Sequence, residues 1–171
     1  MLNGKSLGSR SRNADDSPRI WTIAWEPGAL KAIGRNNGVI VAEHELRTAG
    51  KPAEIILAVD RNKLMPDWND VAFVSATITD ENGTPVPSAS ELISFKITGP
   101  GVIAAVDSGD NSSIEDFQAS SRRAYQGRCY VMVKTRASRG KIIVAASAAG
   151  LTKASISIEA APIPSGVARS R

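Results

Sequence analysis

The chain has few of the residues from which redox centres, metal sites and catalytic dyads are built. Its 171 residues include one cysteine, Cys129, and one histidine, His44. A single cysteine excludes an intrachain disulfide and any cysteine-rich metal site. No serine or cysteine near His44 lies in a nucleophile motif, so we expect a surface or partly packed histidine and not a catalytic triad. We expect no cofactor and no catalytic residue in this chain.

Long apolar runs and helical periodicity are also missing. No stretch of 18 apolar residues is present to form a membrane-spanning helix, so we do not expect a membrane partner. The first eight residues lack the apolar segment of a signal peptide, which leaves the compartment open. No segment repeats its apolar residues at the spacing of a helix.

The formal charge of +4 comes entirely from the two ends of the chain. Residues 1–19 and 160–171 together hold six Lys/Arg and two Asp, whereas residues 20–159 hold fifteen residues of each sign. Nucleic-acid-binding proteins concentrate their basic excess on a folded face. We therefore do not expect nucleic acid as a partner.

The chain is rich in the two-residue alternation that is typical of half-buried strands. Residues 92–98 alternate in this way, and residues 71–79 turn four apolar side chains to one face: Ala72, Val74, Ala76 and Ile78. The segment between these strands contains an Asn-Gly pair and two prolines, which favour a turn. About seven such strands fall in residues 53–159, at the spacing of an immunoglobulin-like sandwich.

The predicted fold class is all-β, with an immunoglobulin-like β-sandwich that is preceded by an incomplete second sandwich. We assign residues 1–50 to the C-terminal half of the incomplete sandwich. Residues 51–159 form the complete sandwich, and residues 160–171 form a flexible basic tail.

Residues 1–50 supply about four predicted strands, which are too few for a sandwich. One of these strands covers residues 19–25, where Trp21, Ile23 and Trp25 would share a face. We expect an exposed edge beside the strand of Leu2 or of Trp25, or a second copy of the chain that covers it.

The acidic segment 107–116 is the best candidate for a functional site. Loop carboxylates can bind Ca²⁺, which makes Asp107 and Asp110 weak metal-ligand candidates. The spacing is not that of an EF-hand, and the Gly-Asp-Asn-Ser run is typical of Asx turns. We favour a structural turn, with an ion or a partner contact as the alternatives. Nothing marks two carboxyls as buried together for glycoside hydrolysis.

Trp68 lies in a polar loop and is the aromatic residue most exposed in this prediction. An amphipathic ring in a loop more often anchors that loop, which is the interpretation that we favour. Contact with a sugar or with a partner is the alternative.

Short motifs along the chain resemble, in the same order, the region after the catalytic barrel in bacterial family 2 glycoside hydrolases of the β-galactosidase type. The motifs fall at residues 2–8, 25–32, 48–53, 59–61, 82–87, 99–101, 106–110 and 123–127. The resemblance extends over roughly residues 1–158. It implies a role in carbohydrate metabolism, immunoglobulin-like modules, and a barrel outside this chain that holds both catalytic glutamates. It also implies a parent enzyme that is often periplasmic or secreted.

The chain departs from the family pattern within the loop at residues 107–115. Asn111 and Ile114 stand where family members often have proline and histidine. We therefore do not infer from the family resemblance that this loop contacts the barrel.

Two functions fit the sequence. The first is a non-catalytic C-terminal portion of a β-galactosidase-like enzyme, which packs against the catalytic barrel or against a second copy of itself. The alternative is a free-standing carbohydrate-binding or adhesion module. The incomplete sandwich distinguishes these two functions. Unpaired strands in residues 1–50 favour the C-terminal portion of an enzyme over a free-standing module.

Overall fold

The computed structural model describes residues 1–67 and 70–162, which are all-β and contain no helix. None of these residues forms a helix that is long and apolar enough to cross a membrane. The chain divides into two compact units, Met1–Thr48 and Ala49–Arg171. The strands in the described residues are β1 (Ala29–Asn36), β2 (Val39–Arg47), β3 (Glu54–Val59), β4 (Lys63–Leu64), β5 (Ala72–Thr79), β6 (Leu92–Thr98), β7 (Gly101–Asp107), β8 (Ser121–Arg123), β9 (Arg128–Thr135), β10 (Gly140–Ser147) and β11 (Ala154–Ala160).

The first unit is built on the antiparallel hairpin of β1 and β2. Asn37 and Gly38 form its two-residue turn and both have positive φ, as a type I′ hairpin requires. The chain start runs along β1, where the Lys31 N–H donates to the Met1 carbonyl at 2.8 Å and the Asn3 N–H donates to the Ala29 carbonyl at 2.9 Å. The sequence predicts this hairpin, because Asn36, Asn37 and Gly38 lie between residues 29–35 and 39–46. The structure confirms it.

The prediction of a strand over residues 19–25 is wrong, and residues 1–48 contain two strands instead of four. Trp25 is 79% exposed, and the Trp21 ring lies 5.5 Å from the guanidinium carbon of Arg10. A strand is stabilised by side-chain pairs with a neighbouring strand. Residues 19–25 have no such neighbour within the first unit, so their apolar alternation does not produce a strand.

The second unit is a sandwich of two sheets. One has the strand order β4-β11-β10-β6-β8 and the other the order β3-β5-β9-β7. All neighbouring strands are antiparallel except β4 and β11. The described residues of this unit contain nine strands where the sequence predicted about seven, because β4 and β8 are only two and three residues long.

The core lies between the two sheets, and the inward face predicted for β5 is confirmed. All four of the predicted inward residues of that strand are fully buried. The facing sheet contributes buried apolar side chains to the same cluster: Ile93, Phe95, Ile142, Val144 and Ile158. Burial of each large aliphatic side chain contributes about 1.5–3 kcal/mol. The sandwich therefore has a continuous apolar core without a disulfide.

The Gly-Pro-Gly segment at residues 99–101 carries the chain from β6 in one sheet to β7 in the other. Gly99 has a φ of +87°, and a Cβ built there would lie 2.1 Å from the carbonyl oxygen of Lys141. Only glycine fits this corner, because both the backbone conformation and the close approach exclude a side chain.

Candidate functional site

The acidic loop joins the end of β7 to the start of β8. Asp107 Oδ1 accepts from the N–H groups of Ser108 and Gly109 at 2.7 and 3.1 Å. Asp110 Oδ1 accepts from both the hydroxyl and the N–H of Ser112, at 2.7 and 2.9 Å, and these bonds lower the pKa of Asp110. Both carboxylates thus bind the backbone of their own turns, in the Asx geometry that the local sequence favours.

The residue that organises this loop is Arg122, which the sequence reasoning missed. Its side chain is fully buried. Nη1 donates to the Glu115 carbonyl at 3.0 Å, Nε to the Ser108 hydroxyl at 3.3 Å and Nη2 to Asp107 Oδ1 at 3.4 Å. The Phe117 ring centre lies 5.0 Å from the guanidinium carbon, within the range of a cation–π contact.

Two carboxylates balance the buried charge of Arg122. Asp107 makes the 3.4 Å contact, and Glu115 Oε2 lies 3.7 Å from Nε. Both acidic side chains remain about one third exposed, at 37% and 34%. A buried cation requires such partners because its removal from water is costly. Asp107 and Glu115 therefore hold the loop to the sandwich.

The pairing of β8 with β6 explains why Arg122 points inward. Arg122 lies opposite Ile93, which is a fully buried core residue, and cross-strand partners share a face. The adjacent Arg123 is exposed. The register with β6 is the signal that identifies the buried arginine, and this register is not visible in a three-residue strand read by itself.

No group of three or more His, Cys, Asp or Glu residues in the described ranges is arranged to hold a metal ion. Ion binding by Asp107 and Asp110 stays a prediction. Trp68 lies outside the described residues, so its contact with a sugar or a partner also stays a prediction.

A second structural carboxylate, Asp80, is buried at the turn after β5. Its Oδ2 accepts from the Gly50 N–H at 2.8 Å, and its Oδ1 accepts from the N–H groups of Asn82 and Thr84 at 2.9 and 2.8 Å. These bonds, the Gly50 bond first, lower the pKa of Asp80. The carboxylate ties the segment before β3 to the turn that follows β5.

Two further residues have side chains that are reactive in other proteins, Cys129 and His44. Cys129 is fully buried in the core, and burial raises the pKa of its thiol to about 12. A thiol that stays protonated is unreactive at neutral pH. His44 is exposed on β2, and its neighbours Glu43 and Glu45 pair with Lys31 and Arg47 at 2.7 and 2.5 Å.

These observations first define a class of protein, an immunoglobulin-like β-sandwich whose main buried polar groups hold turns and a loop. Residues 55–157 match the model of glycoside hydrolase family 2 C-terminal domain 5, and residues 1–42 match that of a domain of unknown function, DUF4982. The chain therefore belongs to the family of glycoside hydrolase family 2 C-terminal domains, as the sequence resemblance predicts.

Known relatives agree with this assignment. A β-galactosidase of Bacteroides ovatus is 40% identical over 160 residues, which are 94% of this chain and 19% of the relative. A family 2 glycosyl hydrolase structure from Bacteroides cellulosilyticus superposes with a TM-score of 0.83 at 36% identity, covering 92% of this chain and 22% of the other. A β-glycosidase structure from Bacteroides vulgatus gives 0.85 at 29% identity, covering 93% and 20%. The chain spans about a fifth of the length of these relatives.

Proposed function

We propose that this chain is the non-catalytic C-terminal portion of a β-galactosidase-like glycoside hydrolase, and that it packs against the catalytic part of that enzyme. One observation carries the proposal. Nearly the whole chain matches the B. ovatus β-galactosidase, and the match occupies only 19% of that enzyme. The chemistry of a glycosidase would then belong to the remaining four fifths.

The carboxylates of the second unit support a structural role. Hydrolysis of a glycosidic bond needs two carboxyl groups that flank the substrate, about 5–9.5 Å apart, one of which acts as the acid. The Asp80 carboxylate accepts three backbone N–H groups. Asp107 and Glu115 lie against Arg122 and hold the loop. Groups that are engaged in this way are poorly suited to proton transfer.

The exposed hairpin of the first unit supports the proposed division of the chain, with residues 1–50 as half of one sandwich and residues 51–159 as the next. Cross-strand pairs place Leu30, Leu46, Ala32 and Ala42 on one face, where His44 lies opposite Ala32, and all five side chains are exposed. Lys31 and Glu43 form a salt bridge on the other face. An apolar face that is open on one side is what the second half of a sandwich presents without its first half.

A hydrolysis assay on the purified chain tests the absence of catalysis. We expect no release of nitrophenol from p-nitrophenyl β-galactoside above the rate in buffer. Turnover that rises with the concentration of the chain, and that is lost in the Asp107→Asn/Asp110→Asn double variant, would contradict the proposal. The variant keeps the shape of both loop side chains and removes their charge. Its Tm is recorded with its activity, because Asp107 also balances the buried charge of Arg122.

A further inference from the structure

The two outward faces of the sandwich differ in composition. On the sheet that contains β6, β10 and β11, the outward residues are mainly serine, threonine, lysine and glutamate, and the apolar ones are Leu92, Ile143 and Ala145. On the other sheet, seven outward residues are apolar: Ile56, Ala58, Phe73, Val102, Ala105, Tyr130 and Met132. We name these residues the apolar sheet face.

The strand register brings the apolar sheet face together. Phe73 of β5 lies opposite Met132 of β9, which lies opposite Ala105 of β7. In the next row, Ala58 and Tyr130 lie on either side of Ser75. The row beyond includes Ile56. Polar residues share this face, because Ser75 and Asp107 lie on either side of Tyr130 and Thr77 lies between Ile56 and Arg128. The apolar side chains therefore form a patch across four strands that polar residues interrupt and border.

This surface is open within the described residues. Phe73 is 46% exposed and Ile56 is 44% exposed. Phe73 is also fixed in place, because its N–H donates to Asp60 Oδ1 at 2.8 Å and its carbonyl accepts from the Asp60 N–H at 3.2 Å. An exposed apolar patch that the fold holds in place is a candidate site of protein contact.

The chemistry of the patch favours a protein over a sugar. Aromatic residues and methionine are enriched at the centre of protein interfaces, with charged residues at the rim. Phe73, Tyr130 and Met132 form the centre here, and the exposed Arg128 lies at one end of the patch. A carbohydrate site needs several convergent hydrogen-bonding groups, and the central row of Phe73, Met132 and Ala105 has none on its side chains.

We propose that the apolar sheet face is the surface through which this sandwich docks onto the catalytic portion of the longer glycoside hydrolase chain. The inference rests on the proposed function. About four fifths of the length of the matched relatives lies outside the region that corresponds to this chain. That remaining part of a longer chain would supply the protein surface that covers the apolar sheet face. The opposite, polar face of the sandwich then faces solvent.

Cysteine labelling in a hybrid enzyme tests the docking surface. The hybrid is the B. ovatus β-galactosidase with its matched 160-residue region replaced by this chain. Ser75→Cys places a thiol at the centre of the apolar sheet face, and Ser157→Cys places one on the polar face as the matched control. Cys129 does not interfere, because it is buried and its thiol pKa is raised to about 12.

Maleimide labelling is followed by peptide mass mapping in both the isolated chain and the hybrid. We expect the thiol at position 75 to react about tenfold or more slowly in the hybrid than in the isolated chain, since labelling would require the interface to open. The thiol at position 157 should react at the same rate in both.

Each other outcome contradicts the inference in a distinguishable way. A hybrid that hydrolyses β-galactoside but labels equally fast at position 75 overturns the docking surface and leaves the proposed function intact. Protection in the isolated chain that grows with its concentration identifies a second copy as the occupant. Protection in the isolated chain by galacto-oligosaccharide identifies a sugar site. An unfolded, inactive hybrid overturns the proposed function, and the inference with it.

A second pair of variants tests, through changes in Tm, whether the apolar sheet face is in contact with the rest of the hybrid. Phe73→Gln removes the exposed ring from the apolar sheet face, and Ile143→Gln removes a 38% exposed side chain from the polar face. In the isolated chain both substitutions should leave Tm nearly unchanged. In the hybrid, only Phe73→Gln should lower Tm. Equal effects of the two variants in the hybrid would contradict docking through this face.

Discussion

Arg122 has the largest fully buried side chain among the described residues of the sandwich. We expect Arg122→Met to lower the free energy of unfolding by about 1–3 kcal/mol, because the Glu115 carbonyl and the Ser108 hydroxyl lose their donor while methionine fills most of the volume. Asp107 and Glu115 are one third exposed and can be hydrated, which keeps the loss below that of a fully buried ion pair.

Urea unfolding of Arg122→Met and of the exposed neighbour Arg123→Met measures this difference. The Arg122 variant should also be cleaved faster by protease within residues 108–120, because the loop loses its anchor. Equal stability losses in the two variants would show that the buried guanidinium does not hold the loop.

We expect Asp80 to make the stability of the sandwich dependent on pH. Its pKa in the folded chain is lowered, so its contribution is fully present above the unfolded-state value of about 3.9. This contribution is lost as the pH falls through the folded-state value. Asp80→Asn should therefore lower Tm at pH 7, and the difference from the parent chain should narrow as the pH is lowered below about 4.

Thermal unfolding between pH 7 and pH 3 checks the prediction for Asp80. The control is Asp116→Asn, at an exposed loop residue that accepts one backbone N–H from Gln118. This variant should change Tm only slightly at any pH. A difference between Asp80→Asn and the parent chain that stays constant down to pH 3 would contradict the role assigned to the carboxylate.

At the scale of an element, the corner between β6 and β7 depends on the close approach of Gly99 to the backbone of β10. Gly99 and Gly83 both have positive φ, but a Cβ at Gly83 meets nothing within 4 Å, whereas one at Gly99 meets the Lys141 carbonyl. Gly83→Ala should cost about 1–2 kcal/mol, the strain of a left-handed residue. Gly99→Ala should cost more, because β10 must also shift.

Chemical denaturation of these two variants isolates the close approach, since the backbone strain is common to both. Similar losses in the two variants would mean that the corner tolerates a side chain. The Gly-Pro-Gly segment would then be a turn without a role in joining the sheets.

The elements that the sequence predicted correctly are those with local signals. Two-residue alternation gave the inward face of β5, and an Asn-Gly pair gave the turn of the β1–β2 hairpin. Residues 19–25 alternate too, but they form no strand because nothing in the first unit pairs with them. Arg122 was missed for a related reason. Its burial depends on the register with β6, which is a contact between distant parts of the chain.

The candidate loop was located from its acidic residues, and its Asx turns followed from the local sequence. The structural role of this loop could not be predicted from the local sequence. The balance of charge around Arg122 appears only when β7, the loop and β8 are brought together. The apolar sheet face is likewise a property of three strand pairings and not of any single strand.

At the scale of the whole molecule, each unit, described by itself, carries exposed apolar residues on one sheet face. In the first unit this surface is the hairpin face with Leu30 and Leu46, and in the second it is the apolar sheet face with Phe73. Surface of this kind stabilises a protein only when another surface covers it. A chain that spans about a fifth of the length of its relatives, with an exposed apolar face on each unit, supports the proposed packing against a longer chain.

The most direct measurement compares three forms of the B. ovatus β-galactosidase: the intact enzyme, a form without the matched 160 residues, and the hybrid that carries this chain in their place. Activity on β-galactoside and Tm are recorded for each. We predict that the hybrid is active and that its Tm is higher than that of the truncated form. A hybrid that is no more active and no more stable than the truncated form would contradict the assignment of this chain as the packing portion of a family 2 glycoside hydrolase.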